Sequence, residues 1–213
     1  MQLYSFFQSS TSYRARIALA LKGVDYEYRA VDIRAKQHHA AEYRRLNAAA
    51  SVPTLVDGDL ALGQSLAIID YLDLRFPEPR LIPAELRPRA RVLEFSCLIA
   101  CDIHPVNNLR VLRYLQSQLG ASDEAKNAWY AHWIAEGLTS AEQLLQQHGG
   151  SGPFAFGAQP TLADCCLVPQ VANALRMSCP TDAYPRVMAV YRHCTALPAF
   201  QAAAPDRQPD FVR

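Results

Sequence analysis

Residues 2–31, QLYSFFQSSTSYRARIALALKGVDYEYRAV, carry the pattern from which the architecture of the first half of this chain follows. The two ends of the stretch, residues 2–6 and 26–31, are short and rich in aromatic residues, which predicts two strands. Between them, a Ser/Thr cluster, two apolar residues four apart and Gly23 predict the beginning, the face and the end of a helix. Strands joined in this way pair in parallel through a right-handed crossover.

Beyond this stretch, the sequence predicts a weak helix, two strands and a second strong helix. These elements are expected, in chain order, at residues 36–46, 52–56, 60–62 and 64–75. Asp57-Gly58 separates the two strands and is a strong hairpin signal. The first part of the chain is therefore predicted to be an α/β unit of order β-α-β-α-β-β-α.

The remainder of the chain is predicted to be helical. Residues 76–88 hold four prolines and no regular period, which is typical of a linker. Helices are expected at residues 89–103, 106–119, 124–147, 162–176 and 184–195, with a short one after Pro198. Thr161 and Asp164 have the spacing of a capping box. The fold class is α/β plus all-α, with one domain over residues 1–80 and a second over 86–213.

Composition limits the possible partners and compartment. The chain has 21 Lys and Arg against 20 Asp and Glu, so its net charge of +1 argues against nucleic-acid binding. It has neither a bilayer-spanning apolar run nor a signal-peptide pattern at its start, so we expect a cytoplasmic protein without membrane contact. Its six cysteines never form Cys-x-x-Cys and are expected to be small buried hydrophobic residues.

The Ser/Thr cluster at residues 9–12 is the first candidate site. Hydroxyls at a strand-to-helix turn lie beside free N–H groups and the positive end of the helix dipole, a place that favours an anion. A thiolate would be stabilised there, but no cysteine is near in the sequence, so the thiol would have to belong to a cofactor. The alternative is an ordinary helix cap. Gln64-Ser65 is a second helix start of this kind, with Ser65 expected as the cap.

Two further positions have both a functional and a structural interpretation. Arg176, the first charge after an apolar helix, could grip a carboxylate or simply complement the helix dipole. Cys97, Cys101 and His104 share a helical spacing that could meet a metal, but without a fourth ligand we expect no metal site and instead a core stripe ending at a cleft.

Taken together, several motifs in order resemble the zeta class of cytosolic glutathione transferases. They cover essentially the whole chain and include residues 9–19 (SSTSYRARIAL), Val52-Pro53, Gln64-Ser65, residues 101–108 (CDIHPVNN), residues 161–164 (TLAD) and residues 207–210 (RQPD). The resemblance implies a thioredoxin-like N-terminal domain, an all-helical C-terminal domain, a homodimer and a cis peptide before Pro53.

The resemblance also implies a set of site residues and a cofactor, glutathione. Its thiol would be held by Ser9, Ser10 and Thr11. The other implied glutathione contacts are His38, Val52, Gln64, Ser65, His104, Asn108 and Arg110. Arg176 and Arg110 are the candidates for binding the carboxylates of a small dicarboxylate substrate and for stabilising an enolate.

The implied activity is glutathione-dependent cis–trans isomerisation of maleylacetoacetate or, alternatively, of maleylpyruvate. A transferase that conjugates or dehalogenates small electrophiles, and a non-catalytic binding module, remain open from the sequence. Two departures bear on the substrate. Thr11 stands where the zeta motif usually has cysteine, and Gln8 stands where relatives often have arginine, so one substrate carboxylate would be held more weakly or by another group.

Overall fold

Four strands form one sheet in the order β2-β1-β3-β4 in the computed structural model, which describes residues 1–212. Their bounds are Gln2–Ser5 (β1), Glu27–Ala30 (β2), Thr54–Asp57 (β3) and Leu60–Gly63 (β4). β1 pairs in parallel with β2 and antiparallel with β3, and β3 pairs antiparallel with β4. The predicted parallel crossover and hairpin are therefore confirmed.

Three helices complete this first unit: Ser10–Leu21 (α1), Ala41–Leu46 (α2) and Ser65–Arg75 (α3). A short 3-10 turn, Gln37–His39, precedes α2. Ile17, Leu19, Ile68, Ile69 and Leu72 are fully buried, which places the apolar faces of α1 and α3 in the core. The observed order is the predicted β-α-β-α-β-β-α, a thioredoxin-like arrangement.

The first unit also contains the C-terminal segment of the chain. It comprises residues 1–82 and the residues from Thr195 onward, whereas the second unit spans Pro83–Cys194. Sequence placed the whole of 86–213 in one domain. The end of the chain joins the first unit because the Arg16 Nε donates to the Ala203 carbonyl at 2.9 Å and Asp210 accepts the Phe7 N–H at 3.0 Å.

The second unit is helical, as predicted. Its helices are Leu86–Cys97 (α4), His104–Val106 (α5), Leu109–Ser117 (α6), Asp123–His148 (α7), Leu162–Arg176 (α8) and Pro185–Thr195 (α9). A last helix, Pro198–Ala203 (α10), belongs to the part of the chain that joins the first unit. The single helix expected over residues 106–119 is interrupted before Leu109. Pro169 lies within α8, and the Thr161–Asp164 capping box at its start is present.

A π-helical segment, Leu98–Ile103, follows α4 and corrects one expectation. Cys97 and Cys101 are exposed, whereas the other four cysteines are buried as expected. The wider turn of a π-helix changes which residues face inward, so the stripe predicted from 3.6-residue periodicity does not continue through it. Ile103 is buried there and packs so tightly on α7 that a Cβ at Gly137 would overlap its side chain.

Candidate active site

The N-terminus of α1 is built around Ser9. Ser9 is the N-cap, and its hydroxyl accepts the Ser12 N–H at 3.2 Å. The Ser9 N–H itself donates to the Phe6 carbonyl at 3.0 Å, which fixes the turn between β1 and α1. The first turn of α1 contains no acidic residue. Its positive end therefore carries hydroxyls and no anion from its own helix.

Thr11 connects this helix end to the loop before β3. The Thr11 hydroxyl donates to the Val52 carbonyl at 2.8 Å and lies 2.9 Å from the Ser9 oxygen. Because the single Thr11 proton is directed to Val52, the Ser9 hydroxyl is the donor between the two. The peptide bond between Val52 and Pro53 is cis, as expected. Ser9, Thr11 and Val52 thus form one hydrogen-bonded cluster, and Ser10 is buried beside them at the first position of α1.

The N-terminus of α3 differs from the prediction. Gln64, not Ser65, is the N-cap, and no side chain caps the helix. Gln64 has a φ of 65°, a left-handed value that costs a residue with a Cβ about 1–3 kcal/mol. Ser65 is the first helical residue, and its hydroxyl instead accepts from the Arg14 Nη1 at 3.4 Å. Arg14 is 1% exposed, so it ties α1 to the start of α3 from inside the core.

Arg16 is a second buried arginine that sequence analysis missed. Its guanidinium donates to the carbonyls of Phe6, Phe7 and Ala203 and to the Ser5 hydroxyl, at 2.9–3.3 Å. Burial lowers its pKa from the ordinary value. The available signal was Arg-x-Arg inside an otherwise apolar helix, where a charge needs several acceptors. Arg16 holds the backbone of the two residues that precede Gln8 and Ser9.

His38 lies on the 3-10 turn, half-buried, with its ring 4.0 Å from that of His39. His39 in turn lies 3.4 Å from the Arg44 guanidinium. The side-chain hydrogen bonds described above for Ser9, Thr11 and Val52 join these residues to one another and to Ser12. The predicted contact of His38 with glutathione therefore stays a prediction.

In the second unit, His104, Asn108 and Arg110 are brought together at the start of α6. Asn108 is the N-cap, and its side-chain oxygen accepts the Arg110 N–H at 3.1 Å. With that oxygen committed, its amide nitrogen, 3.3 Å from His104 Nε2, is the donor. A neutral His104 therefore carries its proton on Nδ1. The Arg110 side chain is exposed.

Arg176 ends α8 and is exposed, as the sequence suggested. Its guanidinium donates to the Asn173 side-chain oxygen at 3.4 Å and contacts the Met177 sulfur. It also acts on Tyr130. Burial raises the pKa of Tyr130 to about 12, and the nearby Arg176 charge opposes this rise. Neither contact neutralises Arg176, so it can still attract an anion.

Two other kinds of site, a metal site and a membrane-spanning helix, are absent from residues 1–212. In this part of the chain no group of three or more His, Cys, Asp or Glu side chains is arranged to hold a metal ion. None of its helices has the length and apolar character that a membrane span requires.

Two family descriptions match this chain. Residues 1–74 match the glutathione S-transferase N-terminal domain, and residues 127–193 match the glutathione S-transferase C-terminal domain. The chain belongs to the glutathione transferase family. This membership confirms the predicted fold class, and the cluster at Ser9, Thr11 and Val52 lies within the matched N-terminal domain.

Individual glutathione transferases and isomerases are similar over nearly the full length. A Vibrio cholerae protein described as "Probable maleylacetoacetate isomerase" is 47% identical over 211 residues, covering 98% of this chain and 97% of its own. A solved maleylpyruvate isomerase, a bacterial zeta-class glutathione transferase, is 45% identical with a TM-score of 0.97 and full coverage of both chains.

A third relative contains ligands. The maleylacetoacetate isomerase of Anaeromyxobacter dehalogenans, solved with dicarboxyethyl glutathione and citrate in its active site, is 41% identical with a TM-score of 0.86. The match covers 98% of this chain and 92% of that one. Together these relatives confirm the resemblance to the zeta class of glutathione transferases that the motifs indicated.

Proposed function

We propose that this protein is a glutathione-dependent cis–trans isomerase that converts maleylacetoacetate to fumarylacetoacetate. One observation carries the proposal. The anion-ready N-terminus of α1 presents the Ser9 and Thr11 hydroxyls in a unit whose residues 1–82 contain no cysteine. A site built to stabilise a thiolate therefore has no thiol of its own, and glutathione supplies it.

When bound, glutathione supplies a thiolate that adds reversibly to the conjugated cis double bond, so the former double bond can rotate before the thiolate leaves. Ser9 donates its hydroxyl hydrogen bond to the sulfur, which requires it to leave its present acceptor, Thr11. The Thr11 hydroxyl stays on the Val52 carbonyl and keeps the helix end and the loop in register. Ser10, buried at the first helical position, contributes to the same helix end.

The remaining glutathione contacts follow from the same logic. The Val52 backbone binds the cysteinyl backbone of glutathione, and Gln64 and Ser65 bind its γ-glutamyl group. The N-terminus of α3 supports this role because it has no side-chain cap and no acidic residue in its first turn. Its N–H groups and dipole therefore attract a carboxylate. His38 also contacts the tripeptide.

Residues of the second unit handle the substrate and part of glutathione. His104 and Asn108 are hydrogen-bonded to each other and offer oriented polar groups. Arg110 and Arg176 are exposed cations that bind the substrate carboxylates and stabilise the negative charge that develops during the reaction. The substrate is therefore a small dicarboxylate.

Maleylpyruvate is the second candidate substrate, and a specific observation favours it. Identity to the solved maleylpyruvate isomerase, 45%, is close to the 47% identity to the Vibrio protein. The two substrates share the cis-enedioyl group and a carboxylate at each end, so the same residues serve both.

The test is to follow the loss of each cis substrate in parallel, with and without glutathione, while measuring whether glutathione is consumed. Rapid glutathione-dependent turnover of maleylacetoacetate, without consumption, is the expected result. Faster turnover of maleylpyruvate would assign the second substrate. Turnover of neither, with conjugation or dehalogenation of small electrophiles such as α-haloacids, would replace the isomerase with a transferase.

Arg176→Ala tests the role of the carboxylate-binding cations. It should raise the KM for the substrate and lower kcat while leaving glutathione affinity unchanged. Unchanged isomerase kinetics would remove Arg176 from the mechanism.

We further propose that the protein works as a cytoplasmic homodimer. Leu74 on α3 is 73% exposed and Leu86 at the start of α4 is 85% exposed, and a second copy would cover such large apolar side chains. All six cysteines are free, as a reducing compartment requires. Light scattering that gives the mass of one chain at micromolar concentration would contradict the dimer.

A further inference from the structure

Arg34, in the segment that follows β2, is an exposed cation held by neutral groups. Its Nη2 donates to the Gln8 side-chain oxygen at 2.5 Å. Its guanidinium lies 5.4 Å from the ring centres of both Phe6 and Phe7. Within residues 1–212 no carboxylate forms an ion pair with it. Asp32, the nearest acid in sequence, accepts the backbone N–H groups of Arg34 and Ala35.

The position of Arg34 differs from that of two other exposed arginines in this unit. Arg29 pairs with Glu27 at 2.9 Å, and Arg45 pairs with Glu42 at 3.5 Å. These charges are balanced where they lie. Arg34 keeps its net positive charge, and stacking on two aromatic rings restricts its guanidinium without neutralising it.

Gln8, the hydrogen-bond partner of Arg34, lies next to the proposed reaction site. Gln8 immediately precedes Ser9, the N-cap of α1. Phe6 and Phe7 are buried, and their carbonyls are fixed by Arg16. The aromatic platform under Arg34 is therefore rigid. The platform holds the positive charge of Arg34 against the Gln8 side chain, next to the turn that presents the Ser9 hydroxyl.

We propose that Arg34 binds one of the two carboxylates of the dianionic substrate, so that Arg110 and Arg176 serve the other, and that Gln8 orients the Arg34 guanidinium. The inference rests on the proposed function, since it concerns the substrate of that same site. One Arg34 N–H is used by Gln8, and the planar fork retains further donors for a carboxylate. The neutral Gln8 side chain accepts a hydrogen bond from the guanidinium and leaves its positive charge intact. A carboxylate at residue 8 would neutralise that charge.

Arg34 thereby supplies the cation that residue 8 lacks relative to the zeta-class pattern. Because Arg34 reaches the end of the Gln8 side chain, an arginine at residue 8 would place its own guanidinium in nearly the same volume. The two residues are therefore predicted to be exchangeable: a cation is needed at this point, and either residue can provide it.

The experiment measures binding by calorimetry, using two ligands that differ in the dicarboxyethyl group on the sulfur. For each variant, the affinity for S-(1,2-dicarboxyethyl)glutathione is divided by the affinity for glutathione. The variants are Arg34→Gln, the charge-matched control Arg29→Gln, Arg34→Lys, and the double variant Gln8→Arg with Arg34→Gln. Circular dichroism checks that each is folded, which is expected because Arg34 and Arg29 are both at the surface.

We expect Arg34→Gln to lower the affinity ratio about 10-fold, as for the loss of a hydrogen-bonded charge pair. Arg29→Gln should leave the ratio unchanged, Arg34→Lys should give an intermediate value, and the double variant should restore it. An unchanged ratio in Arg34→Gln, or an equal fall in Arg29→Gln, would overturn the inference. If the double variant did not recover the affinity ratio, the arginine at residue 34 could not be exchanged for one at residue 8.

Kinetics on the same proteins separate this inference from the proposed function. If the wild-type protein isomerises its substrate and Arg34→Gln has the same KM, Arg34 has no role and the function stands. If the ratio depends on Arg34 but neither maleyl substrate turns over, the function fails while the carboxylate contact remains.

Discussion

The N-termini of α1 and α8 have the same kind of N-cap but differ in the first helical turn. Each is capped by a hydroxyl, from Ser9 in α1 and from Thr161 in α8. In α8 the first turn also contains Asp164, which accepts from the Thr161 N–H at 2.8 Å and from the Ala155 N–H at 2.8 Å. Asp164 is fully buried, and burial raises its pKa although these hydrogen bonds oppose the rise. In α1 no acid occupies the first turn.

The difference distinguishes a structural helix end from a binding one. In α8 the Thr161 hydroxyl accepts the Ala163 N–H, and the Asp164 carboxylate lies at the positive end of the dipole, so this helix end already has its own anion. The N-terminus of α7 is also supplied with acids, Asp123 and Glu124, whereas that of α3 has none. The two helices to which we assign glutathione, α1 and α3, have no acid in the first turn, a property that they share with α4, α5, α6, α9 and α10. An open helix end therefore permits an anionic ligand without identifying the site by itself.

The largest expected effect comes from removing the internal anion of α8. Asp164→Ala leaves the buried N–H groups of Ala155 and Thr161 and the Thr161 hydroxyl without their acceptor. We expect a loss of about 4 kcal/mol in the free energy of unfolding, measured in urea. Glutathione affinity of the folded protein should not change. The matched control, Asp123→Ala at the exposed start of α7, should be nearly neutral, and an equal loss in both would contradict the distinction.

Ser9→Ala tests the corresponding position of α1, where the main effect should be on the reaction. Loss of the hydroxyl donor is expected to lower kcat about 100-fold. The lost cap should cost about 1 kcal/mol of stability. Ser122→Ala removes the N-cap of α7 and is the control, because it should show the stability loss without the kinetic one. Equal turnover in the Ser9 variant and the wild type would leave the cluster as an ordinary cap.

Much of the difference between these helix starts can be predicted from the sequence, because the residues that form a helix cap are neighbours in the chain. The Ser/Thr cluster, the Thr161-x-x-Asp164 spacing and the β-α-β pattern all depend on neighbours within a few residues. Ser65 was misread as a cap because its hydroxyl is taken by Arg14, a partner 51 residues away in sequence. The fixing of the Ser9 turn by Arg16 and by Asp210 is likewise non-local, since its acceptors and donors come from both ends of the chain.

The exposure of Cys97 and Cys101 was missed for another reason. Both lie at the π-helical segment, where the helix departs from the 3.6-residue repeat on which the predicted stripe depended. Sequence periodicity carries no signal for such a departure. This error does not affect the predicted site residues, because none of them lies between residues 98 and 103.

Thr11→Val should produce a smaller effect than Ser9→Ala. The substitution keeps the shape of residue 11 and removes the hydrogen bond to the Val52 carbonyl, so the loop that binds the cysteinyl backbone is held less firmly. We expect the KM for glutathione to rise about 5-fold, as for one hydrogen bond of about 1 kcal/mol. The value of kcat should stay close to that of the wild type. Thr11→Ser keeps the hydroxyl and should behave like the wild type; a 5-fold rise there too would show that the methyl group matters and the hydrogen bond does not.

Gln64→Gly extends the comparison of helix N-termini to α3. Of these substitutions, it is expected to have the smallest effect on stability. Gln64 adopts a left-handed φ of 65° at the start of that helix, and glycine adopts such a value without a steric penalty. Part of the relief is offset by the greater freedom of glycine in the unfolded chain, so we expect a net gain of only about 0.5 kcal/mol.

Glutathione affinity should move in the opposite direction in the same variant, because the side chain that contacts the γ-glutamyl group is lost. Lys36→Gly is the matched control, since Lys36 also has a left-handed φ, 61°, and lies outside the proposed contacts. It should be at least as stable as the wild type and bind glutathione normally. If Gln64→Gly gained stability and kept full affinity, the strained conformation would have no binding role. The open N-terminus of α3 would then resemble that of α1 in charge but not in function.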